Sequence, residues 1–120
     1  MVWRERAPAV VIEWNNGMNE SIRNEIKSFL DTEGRLTQLP GKKRKKLIAL
    51  YYLSEQIPGD GRYTEREFNI LLNTLHTFGD PATLRREMYD TYLIEREKDC
   101  TGYRVNPDKK PFEEWISERI

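Results

Sequence analysis

The pattern of apolar and polar positions divides the chain into short elements. Val10-Val11-Ile12-Glu13-Trp14 is an apolar run that reads as an edge strand, broken by Asn15-Asn16-Gly17. Ile22, Ile26, Phe29 and Leu30 recur at helical spacing and predict a first helix over Asn19–Asp31, with Gly34 as its C-cap. Arg35–Leu39 reads as an extended link ended by Pro40-Gly41. The next helix, Lys42–Ile57, puts Leu47, Leu50, Tyr51, Leu53, Ser54 and Ile57 on one side; Ile48 and Tyr52 widen that surface, so this helix is expected to be central. Pro58-Gly59-Asp60-Gly61 stops it, and Arg62-Tyr63 reads as a very short strand.

Thr64-Glu65-Arg66-Glu67 is a capping box, in which the first hydroxyl and the fourth carboxylate each bond the other's backbone amide. Phe68, Leu71, Leu72 and Leu75 continue it as a helix that Gly79 ends. Asp80-Pro81 opens another helix, with Asp as N-cap and Pro at the first helical position. Its inward residues are Leu84, Met88 and Thr91, with Tyr92 beside them. The period then changes to two, and Tyr92–Lys98 and Tyr103–Val105 are expected to pair as a hairpin across residues 99–102. Pro111 opens a short terminal helix bearing Phe112, Trp115 and Ile116 on one face. The middle of the chain therefore reads helix, short strand, helix, helix, hairpin, the order of a winged helix-turn-helix. The expected class is α+β: a small winged helix-turn-helix-like domain over residues 19–106, an added N-terminal helix within it, an arm over 1–18 and a C-terminal amphipathic helical segment over 107–120.

Composition narrows the function classes. A length of 120 residues suits one modest core. Three Trp, six Tyr and four Phe argue against disorder despite a mean hydropathy of −0.80. No apolar run approaches the roughly 20 residues of a membrane helix, and Ala9–Ile12 is too short for a secretory core. The single cysteine, Cys100, excludes an internal disulfide and a multi-cysteine zinc site. These features lead us to expect a cytoplasmic protein without membrane partner or cofactor.

Net charge is zero, from 20 basic and 20 acidic residues. Its distribution is uneven. Residues 35–46 hold six basic groups and no acidic one, and every other stretch is mildly acidic.

Several separated blocks, in order, resemble a bacterial family of uncharacterised domains: Asp31-Thr32-Glu33-Gly34-Arg35-Leu36, Leu39–Lys46, Arg62–Asn69, Thr83–Glu87 and Tyr103-Arg104. They span residues 31–105. The resemblance implies a winged-helix-like domain that occurs alone or fused behind ArsR-type DNA-binding regulators, and it carries over no catalytic residue.

Lys42, Lys43, Arg44, Lys45 and Lys46 form a positive collar around the start of a helix. The helix N-terminus already carries about half a positive charge, so cations there oppose helix stability. An anion site explains the choice, because free amides, dipole and ammonium groups all favour phosphate; a solvated collar offset by the acidic remainder and a nuclear-import peptide are the other readings. On the helix from Pro81, the side opposite the core shows Ala82, Thr83, Arg86, Tyr89 and Asp90, with Arg85 at its edge. In a winged helix this element enters the major groove, where Arg reads guanine and Thr or Tyr contacts bases or phosphates. Arg96, Lys98 and Arg104 of the hairpin would then meet the flanking backbone. The competing reading is a set of ordinary helix salt bridges joining Asp80, Glu87 and Asp90 to Arg85 and Arg86.

Other chemistry finds little footing. His76 has no second histidine or cysteine at metal spacing. The serines lack a nucleophile elbow. Gly41-Lys42-Lys43 is not a phosphate-binding Walker loop, and Gly59-Asp60-Gly61 lacks the acidic positions of a calcium loop. Two functions remain, neither enzymatic. One is a nucleic-acid-associated regulator binding double-stranded DNA through Lys42–Lys46, Thr83, Arg85, Arg86, Tyr89 and Arg104. The alternative is a protein-interaction or dimerisation module using Trp3, Phe112 and Trp115, aromatics of a type that favours interfaces.

Overall fold

A computed structural model describes residues 19–98 and 102–120. The Val10–Trp14 strand, Trp3, Trp14 and Cys100 lie outside the described residues. Within them the chain forms five helices and one hairpin: α1 (Glu20–Asn24), a 3-10 turn (Lys27–Phe29), α2 (Lys43–Glu55), α3 (Glu65–Asn73), α4 (Pro81–Asp90), β1 (Ile94–Arg96), β2 (Tyr103–Val105) and α5 (Phe112–Ser117).

The central helix is α2. Every residue from Leu47 to Ser54 is buried, so apolar side chains leave this helix in all directions and the other elements pack around it. Its first turn, Lys43–Lys46, stays at the surface. Helix α3 opens on the complete capping box, with Thr64 Oγ1 accepting from the Glu67 amide at 3.1 Å and Glu67 Oε1 accepting from the Thr64 amide at 2.9 Å. Helix α4 opens on Asp80, which accepts from the Thr83 amide, with Pro81 next. Phe68 and Leu72 of α3 and Leu84 and Met88 of α4 join the same core, with α4 packed against both α2 and α3.

The hairpin is antiparallel, with Ile94 opposite Val105, Glu95 opposite Arg104 and Arg96 opposite Tyr103. Tyr63 adds an antiparallel bridge to Tyr103 on the far side of β2, with both amide–carbonyl bonds made, at 2.9 and 2.7 Å. The short segment before α3 thus pairs with the second hairpin strand. This is the strand arrangement of a winged helix, and the fold is a small α+β domain of that kind.

Five sequence expectations change. The first helix stops at Asn24, well short of Asp31. Ile26 leaves the helical conformation, and Leu30 is extended and bridges Leu36. The cause is a tight turn in which Asp31 Oδ1 accepts from the amides of Glu33 and Arg35, while Gly34 adopts φ +79°. Gly34 therefore serves that turn and caps no helix. The Arg35–Leu39 link is a structural seam: Leu36 is fully buried and bridges both Leu30 and His76. Helix α3 is complete at Asn73, before Gly79, because His76 turns into that seam.

Tyr92 does not sit beside the inward face of α4. It has φ +65° and is 66% exposed. The Leu93 amide bonds back to the Met88 carbonyl, closing α4 with a left-handed residue between. That reversal sends Leu93 and Ile94 into the core and Tyr92 outward, so β1 begins only at Ile94.

The C-terminal helix belongs to the same core. Phe112 and Trp115 pack on Tyr51 of α2, with ring centroids at 5.3 and 5.1 Å. Trp115 Nε1 donates to the Thr91 carbonyl at 2.9 Å, and the Tyr51 hydroxyl to the Lys110 carbonyl at 2.7 Å. Lys109 Nζ reaches Glu55 Oε2 at 2.6 Å.

Candidate nucleic-acid interface

The exposed face of α4 is set by its core side. Leu84 and Met88 are fully buried, and Arg86 lies two residues from each, about 200° round the helix. Arg86 is therefore at the crest of the outward face, with Ala82, Thr83, Tyr89 and Asp90 around it, all exposed. Between this face and the hairpin is a depression of about 460 Å³ lined by Thr83, Arg85, Arg86, Tyr89, Asp90, Arg96 and Tyr103, among others. The fold thus gathers Thr83, Arg85, Arg86 and Tyr89 with Arg96, the hairpin arginine expected at the flanking backbone, and adds Tyr103 to them.

The arginines there are in different states. Arg85 is tethered: its side chain is only 17% exposed, one guanidinium nitrogen bonds Asn69 Oδ1, and another lies 3.7 Å from Glu65 Oε2. The Tyr103 ring lies beneath it at 5.5 Å. Arg96 lies over the Tyr89 ring at 4.5 Å, joining the wing strand to α4. Arg86 has no hydrogen-bond or ion-pair partner among the described residues. Thr83 is partly committed: its amide donates to Asp80 Oδ1 at 3.2 Å, and its side chain and amide together hold Asp80 below its ordinary pKa. Arg104 is neutralised across the hairpin by Glu95, with Nε to Oε2 at 2.6 Å. The competing set of helix salt bridges joining Asp80, Glu87 and Asp90 to Arg85 and Arg86 does not form among the described residues. Arg85 pairs with α3 and Glu87 with α2.

The collar divides as well. Arg44 makes a bidentate pair with Glu25, both contacts at 2.9 Å, which lowers the Glu25 pKa and raises that of Arg44. Lys45 Nζ caps the Glu25 carbonyl at 3.2 Å, and Lys46 Nζ lies 3.5 Å from Glu87 Oε1 of α4. Lys42 and Lys43 are exposed and carry no ion pair among the described residues. Three of the five cations thus join α2 to its neighbours, and two face solvent.

The Lys46–Glu87 pair also locates the collar. Glu87 and Arg85 are two residues apart on α4, so they occupy opposite flanks. The collar adjoins the Glu87 flank and the hairpin depression adjoins the Arg85 flank, with the Arg86 crest between them. Periodicity could place Arg86 opposite the core. It could not find the Arg96–Tyr89 and Arg85–Tyr103 pairings, because these depend on how the hairpin folds back against α4.

His76 is not available as a ligand. It is 3% exposed, with Nδ1 2.7 Å from the Leu72 carbonyl and Nε2 accepting from the Asp80 amide at 2.9 Å. Among the described residues no group of three or more His, Cys, Asp or Glu side chains could hold a metal ion. Phe112 and Trp115 are corrected as candidate interface residues: both are buried against Tyr51 and serve the intramolecular core. Among the described residues no helix is long and apolar enough to cross a membrane.

Residues 35–105 match the family described as an uncharacterized protein conserved in bacteria (DUF2087), which is more than half of the chain, and the protein belongs to that family. No curated protein and no solved structure matches the chain.

Proposed function

We propose that this member of the bacterial family is a nucleic-acid-associated regulatory module that binds double-stranded DNA in the cytoplasm, as a binding protein and not an enzyme. The observation that carries this reading is the outward face of α4. It is held in a helix-turn-helix by caps at both of its helices, and it has the Arg85–Arg86–Arg96 depression on one flank and the basic start of α2 on the other. A helix inserted in a major groove has a phosphate backbone on each side, and each flank here supplies cations. Zero net charge suits local contact and excludes a general polycation.

Fluorescence-anisotropy titration of the full chain with a random duplex, at low and moderate salt, tests this. Affinity is expected to fall steeply as salt rises, because each neutralised phosphate releases counterion. Lys42→Gln with Lys43→Gln should weaken binding equally on all sequences and flatten the salt slope by about two contacts. An unchanged slope removes the collar from the interface, and no binding at low salt overturns the reading.

The alternative, a protein-interaction or dimerisation module, keeps Trp3, which lies outside the described residues, and gains other groups in place of Phe112 and Trp115. Tyr92 and Ile120 are exposed large apolar side chains, and Arg119 lies over the Tyr92 ring at 5.5 Å. Sedimentation of the wild type and of Tyr92→Ser distinguishes the two readings.

A further inference from the structure

Within the proposed DNA-binding reading, on which this inference rests, we infer that Arg86 is the specificity-determining residue and that it reads a guanine in the major groove, whereas Arg85 and Arg96 are positioning residues that shape the surface around it.

The division follows from what each guanidinium already holds. A bidentate guanine contact needs a planar fork with two free N–H groups aimed at O6 and N7. Arg85 has its nitrogens turned to Asn69 and Glu65 and its plane against Tyr103. Arg96 is laid over Tyr89. Arg104, Arg44 and Arg35 are engaged by Glu95, Glu25 and Asp31. On α4 itself Arg86 alone combines a crest position with a guanidinium that has no recorded partner among the described residues.

The charges near Arg86 favour a base edge over a phosphate. Asp90 is one turn further along the same exposed face and Glu87 is the next residue, paired with Lys46. Two carboxylates this close would repel a phosphate seated at Arg86. They oppose the uncharged O6/N7 edge of guanine far less than a charged phosphate, and Asp90 can accept from the exocyclic amine of a neighbouring cytosine. The exposed lysines Lys42 and Lys43, beside the Glu87 flank, are the groups placed to meet phosphate.

The test begins by selecting bound sites from a randomised duplex pool with the full chain. Titrations follow on the selected site, on versions with each G·C replaced by A·T, and on versions with single guanines replaced by 7-deazaguanine, which pairs normally but lacks N7. The expected result is a G·C position where replacement or deaza substitution weakens wild-type binding about 5- to 100-fold. At that position Arg86→Ala binds all versions alike. Arg86→Lys should retain affinity while losing most of the discrimination, which separates a guanine fork from a plain charge. Lys43→Gln should weaken every version equally and leave the discrimination intact. Equal weakening of all duplexes by Arg86→Ala, with a flatter salt slope, makes Arg86 a phosphate contact and overturns the inference while the DNA-binding reading stands. A wild type that binds no duplex overturns both. Unchanged thermal midpoints in the Arg86 variants confirm that the affinities report contacts and not folding.

Discussion

His76 accepts a hydrogen bond at Nε2 from the backbone amide of Asp80, the residue that caps the candidate recognition helix. Its Nδ1 donates to the Leu72 carbonyl of the preceding helix. One buried ring therefore joins the end of α3 to the start of α4 and sets the turn between them. His76→Phe keeps the apolar volume, including the contact with Phe78 at 4.5 Å, but takes away the acceptor of the Asp80 amide, while the Leu72 carbonyl keeps the Leu75 amide at 2.9 Å. The expected cost is about 1–3 kcal/mol, read as a lower thermal midpoint. Hydrogen exchange should show the loss first at the amides of Asp80–Leu84; a variant as stable as wild type would show that the ring only fills space.

Gly34 has φ +79°, and an added Cβ would lie 3.0 Å from the Tyr52 hydroxyl, which donates to the Gly34 carbonyl. Gly34→Ala is expected to destabilise by about 1–2 kcal/mol from the left-handed conformation alone. Gly41, where a Cβ meets nothing within 4 Å and φ is ordinary, is the control. Urea midpoints of the two alanine variants should separate clearly, with only Gly34→Ala shifted down.

Lys109 and Glu55 form an almost buried pair, with side chains 9% and 11% exposed, and Lys109 also donates to Ser54 Oγ at 3.1 Å. Removing one partner takes away the opposite charge that the other faces in this nearly dry site. Glu55→Leu or Lys109→Met alone should cost in the lower part of about 3–5 kcal/mol, while the double variant recovers much of the loss. A double-mutant cycle on unfolding free energies checks this, and additive single effects would show that the two groups do not depend on each other.

Acid should unfold the protein through identifiable carboxylates. Arg44 holds Glu25 below its ordinary pKa, the Arg35 and Glu33 amides hold Asp31 down, and Thr83 does the same for Asp80. For each, the folded pKa lies below the unfolded one, so the unfolded chain binds more protons in acid. Their contribution is complete above the ordinary carboxylate pKa of about 4 and is lost as pH falls toward the folded values. Denaturation curves between neutral pH and pH of about 3 should show this decline. It should be shallower in Asp31→Asn and Glu25→Gln, and an identical slope in those variants would assign the decline to other groups.

The collar should separate by function. Arg44→Gln breaks an exposed bidentate pair and is expected to cost at most about 1 kcal/mol of stability. Lys42→Gln has no such pair to break and should leave the thermal midpoint unchanged or slightly raised, because a cation leaves the positive end of α2. Calorimetry of the two single variants measures the contrast.

Local chemistry was fully legible in the sequence where it was self-contained. The capping box at Thr64–Glu67, the Asp80-Pro81 start of α4, the apolar run that makes α2 central and the β2 boundaries at Tyr103–Val105 all depend on neighbours within a few residues. The outward placement of Arg86 follows from helical period alone. The first helix was misread because its apolar spacing continues to Leu30, while the chain is turned aside by the Asp31 and Gly34 hydrogen bonds and by strand pairing to Leu36.

What only the tertiary structure decided is which charges remain available. The sequence shows five cations at the start of α2, three arginines near α4 and two aromatics in the last helix, and the partners it offers, Asp80, Glu87 and Asp90 for Arg85 and Arg86, are not the ones the fold provides. Glu25 claims Arg44 from 19 residues away, Asn69 claims Arg85 from 16, and Tyr51 gathers Phe112 and Trp115 from the end of the chain. Hydrogen bonds and ion pairs act over a few ångströms, and distances along the chain do not report distances in space. The order of elements and the face of α4 come from periodicity and caps; the pairings that leave Arg86 without a recorded partner come from the fold that brings the other charges together.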